Sequence, residues 1–240
     1  LVKSGQHGDP EAYRDYIRQI QMQDQFLAAN RTIVNGISRL FGNATGLFES
    51  RKGKLYANPD LLADVESLLQ PGDILLEKTP FRLTDKLIPG YWGHAAIWIG
   101  GEQALKELGI WEHPVVTRYH KQIQTDHLVV EALRDGVEMN PLAHFLNVDD
   151  LGVIRQRNMS DSERSSVIIE TLRQVGKEYD FNYDIETTDK IVCSQLVYIA
   201  YPQFNWPTEK ILGRYTISPD NIALQVRAGS ELLLVEFYHD

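Results

Sequence analysis

Hydrophobic residues at Tyr13, Ile17, Ile20, Leu27, Val34, Ile37 and Phe41 recur three, four or seven positions apart, with polar residues between them. That spacing predicts an amphipathic helix over residues 10–41. "GNATGLFESRKGKLYANP" follows, rich in glycine and charge, and reads as a connector. Asn58-Pro59 predicts the start of a second helix running to Leu69, because Asn caps well and Pro is tolerated at the first helical position. Pro71-Gly72 ends it. Beyond that point the period changes from helical to strand-like. "DILLEKT" (73–79), "HAAIWIG" (94–100), "HLVVEAL" (127–133), "GVEMN" (136–140), "GVIRQ" (152–156) and "ELLLVEFYH" (231–239) read as strands, with an Asp135-Gly136 hairpin turn between the third and fourth. Ser160-Asp161-Ser162-Glu163 is a capping box opening a helix that carries Val167, Ile168, Leu172 and Val175 and closes at Gly176. A further helix follows the aromatic stretch "KEYDFNYD" and contains Cys193.

Antiparallel strands and helices in separate blocks predict an α+β fold. The chain divides into an N-terminal helical extension over 1–70 and a main body over 71–240. Its 240 residues, with 43% hydrophobic and 24% charged, are enough for one large domain with an appendage. The net charge of −9 disfavours nucleic acid as a partner. No stretch comes near the roughly 18 consecutive apolar residues of a membrane span. The chain begins at Leu1, which leaves open a removed signal peptide or lipid anchor. A single cysteine rules out an internal disulfide framework.

That cysteine is either an apolar filler or a reactive group. Leu196, Val197 and Ala200 lie three, four and seven residues beyond Cys193, which puts the thiol on the buried stripe of its helix. If Asp189 or a neighbour caps the helix, Cys193 falls in the first turn, where the helix dipole favours a thiolate and free N–H groups can hold an oxyanion. A thiolate needs a base. Of seven histidines, His94 differs in opening an apolar strand after Gly93. His113, His120 and His127 share a spacing of seven, but Pro114 and the following β-branched residues break a helix there. No CxxC or tight ligand pair accompanies them, so no metal site is assigned. Glu131 is a carboxylate inside an apolar strand. Either its face is solvated, or strands 94–100 and 127–133 are antiparallel neighbours and Glu131 faces His94.

The set His94, Glu131, Cys193, in that order, resembles the permuted papain-like cysteine hydrolases of the NlpC-type superfamily, in particular the YiiX-like group. The matching stretches are "PGDILLEKT" (71–79), "GHAAIWIG" (93–100), "VVEAL" (129–133), "GKEYDFNYD" (176–184), "VCSQLVY" (192–198) and "ISPDNI" (217–222). The resemblance covers about residues 71–225 and does not extend to 1–70. It implies a circularly permuted papain-like fold, with an antiparallel barrel-like sheet packed against the cysteine helix. It also implies Cys193 as nucleophile, His94 as general base and then acid, and Glu131 as the residue orienting the imidazole. Family members carry a tyrosine just before the histidine that assists the oxyanion. Here Trp92 takes that position and Tyr91 stands three residues ahead of His94. Acyl transfer to water through a thioester needs no metal or organic cofactor.

The leading expectation is an amidase or peptidase acting on a small peptide or cell-wall fragment, in the envelope or periplasm of a bacterium. Two other readings stay open. Tyr91, Trp92 and Trp98 could form an apolar wall beside the base, which suits a lipid acyl hydrolase or acyltransferase on the same triad. The fold could also be kept by a binding protein without turnover. The sequence leaves the oligomeric state undetermined.

Overall fold

The structure is a computed structural model, and it describes residues 49–82, 90–179, 190–211, 214–227 and 229–239. The expected helix over 10–41, the tip of the "KEYDFNYD" stretch and the candidate cap Asp189 lie outside the described residues.

Helix α1 spans Pro59–Leu68, and the Asn58 side chain accepts the Leu61 N–H at 3.1 Å, as its N-cap position predicts. It buries Leu61 and Val65. The preceding stretch, read from sequence as a connector, packs against the body. Leu55 is buried and donates its N–H to the Val148 carbonyl at 3.0 Å. Arg51 forks onto the Asp149 carboxylate, with the Nη1–Oδ1 contact at 2.7 Å. The described part of residues 1–70 therefore shares one core with the main body.

Strands β1 (Ile74–Lys78), β2 (His94–Trp98), β3 (His127–Leu133), β4 (Gly136–Pro141), β5 (Asp150–Gln156) and β10 (Leu232–His239) correspond to the six expected from sequence. They form one antiparallel sheet in the order β10-β5-β1-β2-β3-β4. The sheet is open, with β10 and β4 as its edges, where a barrel-like closure was expected. The β3–β4 hairpin turns through Arg134-Asp135, because Leu133 pairs with Gly136. Gly136 takes φ +126°, and a Cβ there would sit 2.6 Å from the Lys177 carbonyl oxygen.

Short elements that the periodicity does not reveal fill the connections. They are α2 (Glu102–Glu107), a 3₁₀ turn at Val116–Tyr119, α3 (His120–Ile123) and α4 (Leu142–Phe145). Helix α5 (Asp161–Gln174) opens on the expected capping box: Ser160 Oγ accepts the Glu163 N–H, and the Glu163 carboxylate accepts the Ser160 N–H at 2.8 Å. Strands β6 (Glu178–Tyr179) and β7 (Lys190–Ile191) pair in parallel, and α6 (Cys193–Ala200) comes directly after them. Strands β8 (Glu209–Ile211) and β9 (Arg214–Thr216) form a small hairpin before α7 (Pro219–Ala223). Helix α6 lies across β2 and β3, and α5 packs on α6. Among the described residues no helix is long and apolar enough to cross a membrane.

Two buried carboxylates tie the sheet to its surroundings. Asp73, in the Pro-Gly-Asp stretch, is fully covered and takes a two-pronged contact from Arg155, at 2.7 Å from Nε and 2.6 Å from Nη2. Arg155 Nη2 also donates to the Leu68 carbonyl at 2.8 Å, so the pair fastens the end of α1 to β5. Asp220, at the start of α7, accepts the Tyr91 N–H at 2.8 Å and the Trp92 N–H at 2.9 Å. Gly90 allows this approach: its φ is +116°, and a Cβ there would overlap the Asp220 carboxylate. The segment leading into β2 is therefore held from α7, about 130 residues further along the chain. Replacing Asp220 with Ala strands two buried amides, at a cost of about 2–4 kcal/mol. Thermal melting of Asp220→Ala should show a Tm lowered by roughly 5–10 °C, and an unchanged Tm would contradict this tether.

Candidate active site

His94 opens β2, and Glu131 sits in the middle of β3. The register pairs Glu131 with Ala96. Residues 94 and 96 share a face of the strand, so Glu131 reaches His94 along the diagonal. His94 Nε2 and Glu131 Oε2 are 2.8 Å apart. Asn140, from neighbouring β4, donates to the other Glu131 oxygen at 3.0 Å. His94 and Glu131 are 9% and 3% exposed. Two polar groups this deep in an apolar sheet stay buried because each satisfies the other.

Cys193 is the first residue of α6 and is 4% exposed. Val192 stands at the N-cap in extended conformation, and its N–H is accepted by the Gln195 side chain at 3.3 Å. Ser194 Oγ donates to the Ile217 carbonyl at 2.6 Å, which fixes the first turn against the segment before α7. Leu196, Val197 and Ala200 form the buried stripe that the spacing predicts. That stripe faces β2 and β3 and brings the Cys193 side chain into hydrogen-bonding contact with the His94 ring. Glu131 occupies Nε2, which leaves Nδ1 as the nitrogen open to sulfur. The structure thus brings together Cys193, His94 and Glu131.

The electrostatics arise from that packing. Burial works against a charged His94 ring. The opposing effects are the electrostatic influence of Cys193 and Glu77 and the hydrogen bonds to Cys193 and Glu131. Together they hold its pKa well above the usual imidazole value. Burial alone would raise Glu131. The His94 hydrogen bond and charge, with Asn140 and His144 behind them, bring its pKa below the usual carboxylate value. An ionised Glu131 fixes the proton of neutral His94 on Nε2. Nδ1 is then the basic nitrogen facing the thiol, an arrangement able to accept a thiol proton and hold the resulting imidazolium.

Tyr91 and Trp92 are placed differently from the substrate wall considered from sequence. Trp92 is fully covered, packing edge-on to Tyr91 and Phe237 and lying over Gly152, which has no side chain to obstruct it. Tyr91 is 4% exposed, and its hydroxyl donates to Asp150, which also meets His239 Nδ1 at 2.6 Å. Trp98 is buried as well. All three rings are core; Tyr91 and Trp92 belong to the segment before β2 that Asp220 draws inward, and Trp98 lies on β2 itself. The three evenly spaced histidines are engaged separately. His113 Nδ1 accepts the Val115 N–H at 3.2 Å, His120 stacks on Trp111 at 3.7 Å, and His127 contacts the Thr125 carbonyl at 2.8 Å. Among the described residues no three His, Cys, Asp or Glu side chains are grouped to hold a metal ion.

Asn140, Asp220 and Glu77 were not singled out from sequence. Glu77 carried the same signal as Glu131, a carboxylate inside an apolar strand, "DILLEKT". Asp220 stood in a quoted motif, but no local pattern links it to residue 91. A cleft of about 600 Å³ has Tyr56, Leu62, Arg82, Pro141 and His144 among its lining residues, but not Cys193, His94 or Glu131.

Among solved structures, the chain is similar to the crystal structure of metalloprotein yiiX from Escherichia coli O157:H7. It has 16% sequence identity and a TM-score of 0.49, and covers 71% of this chain and 98% of that one. Comparison with curated proteins found no match. The family model described as permuted papain-like amidase enzyme, YaeF/YiiX, C92 family, matches residues 68–239. That span includes every described strand, the Cys193 helix and the His94–Glu131 pair, so the chain belongs to the permuted papain-like amidases, a family of cysteine hydrolases.

Proposed function

We propose that this amidase cleaves an amide bond of a small peptide, such as a cell-wall fragment, through a thioester on Cys193. The observation that carries the reading is the His94 ring held between Glu131 on Nε2 and the Cys193 side chain. Cys193 passes its proton to Nδ1 and attacks the carbonyl carbon, forming a C–S bond and an oxyanion. The backbone N–H of Cys193, at the start of α6, helps hold that oxyanion. As the intermediate collapses, the C–N bond breaks and the imidazolium gives its proton to the departing amine. Water, deprotonated by the same nitrogen, then attacks the thioester. The C–S bond breaks, the acid product leaves and the thiol is restored. Glu131 keeps the ring in one tautomer and opposes its positive charge throughout. A bacterial envelope location belongs to the same proposal, following from a cell-wall substrate. The aromatic wall that would have suited a lipid chain is core, which removes the observation favouring an acyl-lipid substrate.

The two shifts set the sign of the pH dependence. His94, raised, keeps its proton to higher pH than a free imidazole, and Glu131, lowered, keeps its charge further into acid. The leaving-group acid is therefore lost only as the pH rises through the raised His94 value, which sets the alkaline limb of turnover.

Cys193→Ala should abolish cleavage in a peptide-amide panel while keeping a cooperative melt. In the wild type, rapid quench and peptide mapping should find the acyl group on Cys193. Wild-type turnover surviving in Cys193→Ala would overturn the assignment. Glu131→Gln should lower kcat/KM by about 10²–10⁴-fold, because an amide can donate to Nε2 and so favour the wrong tautomer. It should also move the alkaline limb to lower pH. A pH–rate profile of the variant matching the wild type would remove Glu131 from the mechanism.

A further inference from the structure

Glu77 is a second buried carboxylate beside the imidazole, and the proposed mechanism does not use it. It lies on β1, and the register pairs it directly with His94. Directly opposed residues on neighbouring strands project to the same face, with Cβ atoms about 4.5–5.5 Å apart. Glu77 is 4% exposed, so little water screens it. His94 therefore stands between two carboxylates, Glu77 from β1 on one side and Glu131 from β3 on the diagonal of the other.

The two carboxylates have different anchors. Glu131 bonds the ring and is steadied by the neutral Asn140. Glu77 is met by the Arg82 guanidinium, with Nη1 3.3 Å from Oε1, and Arg82 also reaches the Asn147 carbonyl at 3.4 Å and lies 4.0 Å from Glu49. The Arg82 side chain is 29% exposed, at the wall of the cleft that Tyr56 and His144 also line. Arg82 is shared between Glu77 and Glu49, so it offsets the Glu77 charge beside the ring only in part. Among the described residues, the charged or titratable groups facing the ring are Glu77 from β1, Glu131 from β3 and Cys193 from α6. Helix α4 presents the Phe145 ring, and His144 acts on Glu131.

We propose that Glu77 is a positioning residue that holds His94 in its charged form from the β1 side, and that Arg82 sets how much of the Glu77 charge the ring feels. The role assigned to the ring rests on the hydrolase reading above, but the charge effect does not. The field of Glu77 is one of the influences that raise His94. The pairing also gives the two residues opposite signs. Removing the carboxylate makes the imidazolium harder to keep. Removing the guanidinium uncovers the carboxylate and makes it easier.

The test is NMR titration of the His94 ring on a Cys193→Ser background, which removes the coupled thiol. Relative to that background, Glu77→Gln should lower the His94 midpoint by about one pH unit, and Arg82→Gln should raise it. An unchanged midpoint in Glu77→Gln, or shifts of the same sign in both variants, overturns the proposal. A merely structural role would not produce opposite signs. Should Glu77→Gln fail to fold, Arg82→Gln decides alone: an upward shift supports the proposal, and no shift or a downward one overturns it. Amide turnover of the Cys193 protein is measured in parallel. Opposite shifts without wild-type turnover would sink the hydrolase reading and leave the charge pairing standing. Turnover without the shifts would do the reverse.

Discussion

An imidazole and a carboxylate lie buried against each other on adjacent strands, and neither could stay there alone. Removing one partner of such a pair leaves an uncompensated polar group in the interior, which costs about 3–5 kcal/mol. The His94–Glu131 contact therefore constrains much of the surrounding structure. It fixes the β2–β3 register, since a slip of one residue would turn Glu131 to the opposite face. It also fixes the ring tautomer, and with it the nitrogen that meets α6.

The other elements around the site serve that contact. Asp220 holds the two amides ahead of His94 from α7. Ser194 ties the start of α6 to Ile217, two residues before α7. Both ends of the Cys193–His94 contact are thus fastened to one short segment, 217–220. This arrangement gives "ISPDNI" a physical role: its Ile carbonyl accepts the Ser194 hydroxyl, its Ser caps α7 at the Asn221 amide, and its Asp carboxylate holds the amides of residues 91 and 92. Of the three, the histidine strand comes first in the chain and the cysteine helix last, so residues 94, 131 and 193 converge only once β2 and β3 have paired and α6 has packed across them.

Much of this was legible in the chain. The six long strands and both capped helices, at 59 and 161, announce themselves through period and capping chemistry, which are local. Cys193, His94 and Glu131 could be nominated because a polar group inside an apolar run is locally anomalous. The registers that bring them together depend on pairings far apart in sequence. Glu77 marks the limit of local signals: it has the same one as Glu131, but its neighbour across β1–β2 is invisible until the strands are paired. Trp92 shows the opposite error. A tryptophan near a candidate base resembles a binding wall, and only the Asp220 tether and the bare Gly152 surface reveal that it turns inward. The short strands β6 to β9 are two or three residues each, too brief for any period to register.

The central claim is that the lone thiol is activated by His94. It is tested most directly by the pH dependence of Cys193 alkylation in the wild type and in His94→Ala. An activated thiol predicts fast labelling that persists below about pH 7 in the wild type and collapses in the variant. Labelling that rises only above about pH 8.5, the free-thiol value, and is indifferent to His94 would contradict it and leave Cys193 as a buried filler.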